Sequence, residues 1–174
     1  MVTAEQLKDN KSILVVLPSE DIQKNVDTAI SSLVKKEKSA VAYISLNKPY
    51  KTVVQSWKKK KIDMDKILFI DCITSTVEEP KEEKNVIYVP SPSGLTAISL
   101  AVNTFFKKMA GKKTVMIDAL STLLIYNEIN TVARFTNDIV EKSRVAGGKA
   151  VIFTTKHDEL INKVSLFFDE ILKK

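Results

Sequence analysis

The stretch KTVMIDALSTLLIYN, Lys113 to Asn127, carries the decisive pattern. Thr114 to Ile117 form a short apolar run with β-branched members, ending on a carboxylate, Asp118. Such a run suits a strand buried on both faces. Working outward, Ala150 to Phe153 (AVIF), Val86 to Val89 (VIYV), Ile67 to Ile70 (ILFI), Val41 to Leu46 (VAYISL) and Ile13 to Leu17 (ILVVL) have the same character. Between these runs the apolar period changes to that of a helix. Ile22, Val26, Ile30 and Leu33/Val34 make one stripe over Asp21 to Val34. Tyr50, Val53, Val54 and Trp57 make another behind Pro49. Leu95 to Met109 starts near Ser93 and stops at Gly111; Ile129 to Val145 stops at Gly147-Gly148. Alternating strands and helices predict a three-layer α/β fold with a mainly parallel sheet. Thr74 to Asn85 is polar, holds Pro80 and is expected to be an exposed loop. From His157 onward one helix, or a helix followed by a strand over Phe168 to Leu172, both fit.

The composition narrows the class. A chain of 174 residues, 44% hydrophobic and 28% charged, suits a single globular domain over 1–174. The lone Cys72 cannot form an internal disulfide and fits a reducing compartment. No run approaches the roughly 18 apolar residues of a membrane helix. The start, MVTAEQLKDN, has no apolar signal core, so the expected location is cytoplasmic with no membrane partner. With one Cys and one His no metal-ligand spacing exists, and no metal is expected.

Ligands of open parallel sheets bind beyond the carboxyl ends of the strands. A nucleotide's phosphates usually need a glycine-rich turn there. The four glycines are Gly94, Gly111, Gly147 and Gly148, so none follows the first three strands. Gly94, in PSPSGLT, stands alone at a helix start.

KTVMIDALSTLLIYN resembles the Walker B region of RecA/KaiC-like ATPases. IYVPSPSGLTAISLAVN (Ile87 to Asn103) and RFTNDIVEKSRVAGGKAVIFTT (Arg134 to Thr155) are similar to the flanking segments of KaiC-like domains. The resemblance spans roughly Ser12 to Leu172 and implies a RecA/KaiC-like P-loop NTPase core. Laid on the Walker A pattern, Pro18 takes the first-glycine position and Gln23 the last. Lys24 falls on the phosphate lysine and Asn25 on the magnesium-ligating Ser/Thr. The rest departs: proline cannot donate an N–H, and non-glycine residues resist the left-handed geometry of a phosphate nest. Asn47-Lys48 replaces the catalytic carboxylate pair, and neither side chain is a general base near neutrality. Asp118 keeps the Walker B position and Thr154 resembles the polar sensor position. These losses lead to the expectation of a non-catalytic pseudo-ATPase without bound cofactor. Its role would be regulatory or in assembly, through protein contacts with itself or an active homologue.

Other readings stay open. A nucleotide sensor or slow ATPase would use Lys24, Asn25, Asp118 and Thr154 with Mg-ATP. A receiver-like phosphoaspartate switch would use Glu20, Asp21 and Asp71. The run Lys58, Lys59, Lys60, Lys61 could mark a nucleic-acid binder, or simply neutralise a helix C-terminus. Only Trp57 is aromatic beside it, and no arginine is near. His157 is expected at the surface, Cys72 in the core, and Arg134 and Arg144 in helix-surface ion pairs.

Overall fold

The computed structural model describes residues 2–174. Seven strands, β1 (Ile13–Val16), β2 (Ala40–Ser45), β3 (Ile67–Asp71), β4 (Val86–Tyr88), β5 (Lys113–Asp118), β6 (Lys149–Thr154) and β7 (Glu170–Lys173), form one sheet. Its order is β4-β3-β2-β5-β6-β1-β7, and every pairing is parallel. Six helices connect them: α1 (Ser19–Ser31), α2 (Tyr50–Lys59), α3 (Thr74–Val77), α4 (Leu95–Lys108), α5 (Ile129–Val145) and α6 (Asp158–Val164).

Strand alternation divides the core into two layers. Ile13 and Val15 of β1 face α1 and α2, in a cluster with Ile30, Val53, Trp57 and Phe69. Leu14 and Val16 face the other way, toward Ile98 and Phe105 of α4, Ile139 of α5 and Leu160 of α6. Both faces are covered, so β1, β2, β3, β5 and β6 are buried along their length apart from Lys113, and their apolar residues run consecutively rather than alternating, with polar residues only at the strand ends. The two edge strands are less covered: β4 (VIY) is half-buried, and β7 (EILK) is half-buried up to its exposed last residue.

One detail differs from the sequence reading, and one alternative it left open is resolved. Thr74 to Asn85 is not loop throughout, because Asp71 folds its start into α3. Its carboxylate accepts from the N–H groups of Ile73 (2.8 Å) and Thr74 (2.9 Å) and from the Thr74 hydroxyl (2.5 Å). The C-terminus takes the helix-plus-strand form, with the strand at Glu170–Lys173. Asp169 fixes its entry by accepting from Ser12 N (2.8 Å), after which β7 runs alongside β1. The chain also turns through a π-helical turn, Ser32–Lys36, after α1.

Candidate functional site at the carboxyl edge of the sheet

Helices α1 and α2 lie on one face, α4, α5 and α6 on the other. Neighbouring strands β2 and β5 therefore lead out to opposite faces. That divergence opens a crevice at the carboxyl edge, where ligands of open α/β sheets bind. The cleft there has a volume of about 320 Å³. Its walls come from four strand ends: Ser19 and Gln23 after β1, Asn47 and Lys48 after β2, Asp118, Ala119, Ser121 and Thr122 at and after the end of β5, and Thr155 after β6.

The polar groups in it are mutually bonded. Tyr43, buried in β2, donates its hydroxyl to Asp118 Oδ2 at 2.5 Å. Ser45 of β2 is paired in register with Asp118, and its hydroxyl donates to the Lys48 carbonyl at 2.5 Å. That fixes the turn so that Lys48 Nζ reaches Gln23 Oε1 at 2.5 Å, joining two walls of the cleft. Gln23 in turn donates to Asp27 Oδ1 at 3.0 Å. Thr122 donates to Asn47 (2.6 Å), and Thr155 donates to Ser121 through its hydroxyl (2.9 Å) and its N–H (3.2 Å).

Burial pushes the Asp118 carboxyl above the ordinary range, partly opposed by the Tyr43 hydroxyl and the Lys48 ammonium. Burial, followed by the Asp118 charge, pushes Tyr43 well above the ordinary phenol value. The chemistry on offer is one buried carboxylate, one ammonium and several hydroxyls and amides. This set suits recognition of a small polar group. Among the described residues no group of three or more His, Cys, Asp or Glu could hold a metal ion.

The four residues aligned with nucleotide-binding positions do not converge. Asp118 lines the cleft. Thr154 ends β6 fully buried and donates to the Thr155 carbonyl, so its neighbour Thr155 is the one in the cleft. Asn25 is buried on α1, accepting from Val2 N (3.0 Å) and donating to the Asp21 carbonyl (2.9 Å). Lys24 lies in the second turn of α1 and lines a different cleft. The cause is local: β1 ends at Val16 and α1 begins at Ser19, leaving Leu17-Pro18 as the whole turn. Two residues, one without an N–H, cannot wrap a phosphate.

Asp71, with Tyr50 N as a further donor at 2.8 Å, caps α3 and the start of α2. It is fully buried and does not line the crevice that holds Ser19 and Gln23. Cys72 is buried in the core. His157 is exposed and accepts from Leu160 N at the start of α6. Arg144 pairs with Glu141 and Asp169, while Arg134 donates to Thr131. Sequence reasoning missed Tyr43, Gln23 and Ser121 as site members. A phenol within the apolar run VAYISL was the available signal, because a buried hydroxyl needs a partner.

A family model matches residues 2–173 and describes a family of unknown function, DUF7090. The chain belongs to that family. No curated protein sequence matches it. Among solved structures, it is similar to the KaiC-like protein PH0186 from the hyperthermophilic archaeon Pyrococcus horikoshii OT3. The TM-score is 0.69 and the identity 11%, over 95% of this chain and 73% of that one. It is also similar to the uncharacterised protein PH0321 from Pyrococcus horikoshii, solved with an unknown peptide. There the TM-score is 0.70 and the identity 15%, over 94% of this chain and 77% of that one. The chain therefore shares its fold with that KaiC-like protein and with PH0321.

Proposed function

We propose that this RecA/KaiC-like domain does not hydrolyse ATP and acts through protein contacts, in a regulatory or assembly role. The observation that carries the reading is the two-residue, glycine-free turn Leu17-Pro18 between β1 and α1. It supplies no run of backbone N–H groups for a triphosphate. Two further features support it. The Lys48–Gln23 hydrogen bond occupies polar groups of two cleft walls with each other, and no carboxylate stands at Asn47-Lys48 to take a proton from water. That a structural neighbour was solved with a peptide fits a protein-contact role. The partner expected is a second copy or an active homologue.

The retained Asp118 at the carboxyl edge favours one alternative, a nucleotide sensor or slow ATPase. Thermal unfolding with and without excess Mg-ATP separates the two. Ligand at about 100 times its dissociation constant stabilises a protein by roughly 2.7 kcal/mol, about 5–10 °C at this size. The proposal expects no shift and no phosphate release. A shift, or magnesium-dependent turnover that vanishes in Asp118→Asn, overturns it. Mixing with a catalytic KaiC-like homologue tests the partner: co-elution or altered hydrolysis is expected, and the absence of both counts against the assembly role.

A further inference from the structure

A second cleft, of about 1010 Å³, runs along the outer side of α1. Its lining includes Lys24, Lys35, Lys36 and Lys60, with Thr28 and Ser32. Lys35 and Lys60 come from different helix ends. Lys35 Nζ donates to the Lys60 carbonyl at 2.9 Å, tying the π-helical turn after α1 to the end of α2. The fold thus brings Lys35 and Lys36 beside Lys60, one member of the run Lys58 to Lys61; Lys58, Lys59 and Lys61 do not line the cleft but adjoin Lys60 in the chain. All six are exposed.

Helix-end neutralisation explains a lysine or two at each terminus. It does not explain why both ends share one surface with so few counter-charges. Two carboxylates line the cleft against four lysines: Asp27 is already taken by Lys60, Gln23 and the Trp57 indole (2.8 Å), and Glu20 accepts from the Ser19 hydroxyl at 3.3 Å; Glu37, outside the lining, pairs with Lys112 at 3.5 Å. Among the described residues, Lys24, Lys36, Lys58, Lys59 and Lys61 have no ion-pair partner. Unpaired like charges repel, and an anion spread over several of them relieves that repulsion. Ser32, lining the same cleft, carries the one buried side-chain polar atom without a hydrogen-bond partner among the described residues.

We propose that this lysine cleft binds the phosphodiester backbone of a nucleic acid without reading its bases. The cleft's lining draws on α1, the turn after it and the end of α2, which offers a phosphodiester strand several lysines in succession. The large exposed apolar side chains, Val77, Leu100, Ile125, Tyr126, Val145 and Leu166, all lie off α1 and α2, so nothing here inserts into a membrane. Trp57 is fully buried beneath the cleft and cannot stack on a base. No arginine lies on it to grip a guanine edge. Lysine ammonium groups on phosphates remain, and these give affinity rather than sequence choice.

Fluorescence anisotropy with a labelled, mixed-sequence 20-base-pair duplex tests this on the full chain. Four phosphate contacts give a log–log salt slope of about −3.6, hence roughly 100-fold weaker binding at 200 mM than at 50 mM salt. A scrambled duplex should bind equally well. The variant Lys24→Gln/Lys36→Gln/Lys58→Gln/Lys59→Gln should lose most affinity and most of the slope. The charge-matched variant Lys81→Gln/Lys107→Gln/Lys156→Gln/Lys163→Gln should keep both, with circular dichroism showing that both fold. No binding at about 50 mM salt, equal loss in the two variants, or binding to acidic phospholipid vesicles but not the duplex each overturns the proposal. It stands independently of the proposed loss of ATP hydrolysis.

Discussion

At the scale of single residues, the Tyr43–Asp118 pair has the clearest consequences. Asp118 is raised by burial, so the native state holds its proton more tightly than the unfolded chain does. Its contribution is fully present below the ordinary carboxylate value near 4 and is lost as pH rises through the folded value. Asp118→Asn removes the charge and keeps an acceptor for Tyr43. The variant should melt above wild type at pH 7, with the gap closing below pH 4; a gap that is constant with pH contradicts this. Tyr43 is raised further, by burial first, so its contribution holds below about pH 10 and falls above it. Tyr43→Phe strands a buried carboxylate, at a cost of about 1–3 kcal/mol, or a fall in Tm of roughly 2–12 °C. The double variant with Asp118→Asn should lose less than Tyr43→Phe alone, which a double-mutant cycle reads directly. Asp118 was legible from its place after an apolar run; its phenol partner was not. Register sets Ser45 opposite Asp118, and only the assembled sheet brings Tyr43 within reach. Cys72 makes a simpler case. Burial pushes its thiol well up, so a thiol reagent should be silent on the native protein and react once in denaturant.

At the scale of elements, the apolar runs and helical stripes were readable because each obeys one period throughout. α5 runs over Ile129–Val145, as its stripe and the Gly147-Gly148 stop predict. What escaped the sequence was set by contacts between distant parts. Asp71 builds α3 out of a polar stretch, and Asp169 with Ser12 chooses a strand for the C-terminus. The residues laid on the binding-loop pattern are separated by the same kind of cause. Matching Lys24 to a motif position ignores where α1 starts, and a two-residue turn moves that lysine away from the crevice. The α5–β6 junction yields an ordered prediction. Gly147 has φ +71° with open space around it, so Gly147→Ala pays only the left-handed backbone, roughly 1–2 kcal/mol. A Cβ on Gly148 would stand 2.5 Å from the Lys113 carbonyl oxygen, at the start of the β5–β6 pairing. That clash is with backbone and must part the strands. Chemical denaturation should rank Gly148→Ala as the more damaging, and the reverse order would refute the close approach.

At the scale of the whole molecule, charge is the feature that the fold redistributes. The chain carries a formal +6, and lysines from two helix ends meet on one side of it. Self-repulsion of this kind destabilises the compact state and is screened over a Debye length of about 10 Å at 0.1 M salt. The opposing effect is screening of ion pairs. Most of these, such as Lys51–Glu78 and Lys84–Asp65, are exposed and worth little. Repulsion should therefore dominate. The Tm is expected to rise by a few degrees between 10 mM and 300 mM sodium chloride at pH 7, a fraction of the roughly 2–4 °C per kcal/mol for a domain this size arising from each lysine relieved. In Lys24→Gln/Lys36→Gln/Lys58→Gln/Lys59→Gln the low-salt Tm should already be higher and the salt response flatter. A Tm that falls with salt in the wild type would mean that the ion pairs outweigh the lysine surface. The unpaired lysines would then be ordinary solvated side chains rather than a surface held in wait for an anion.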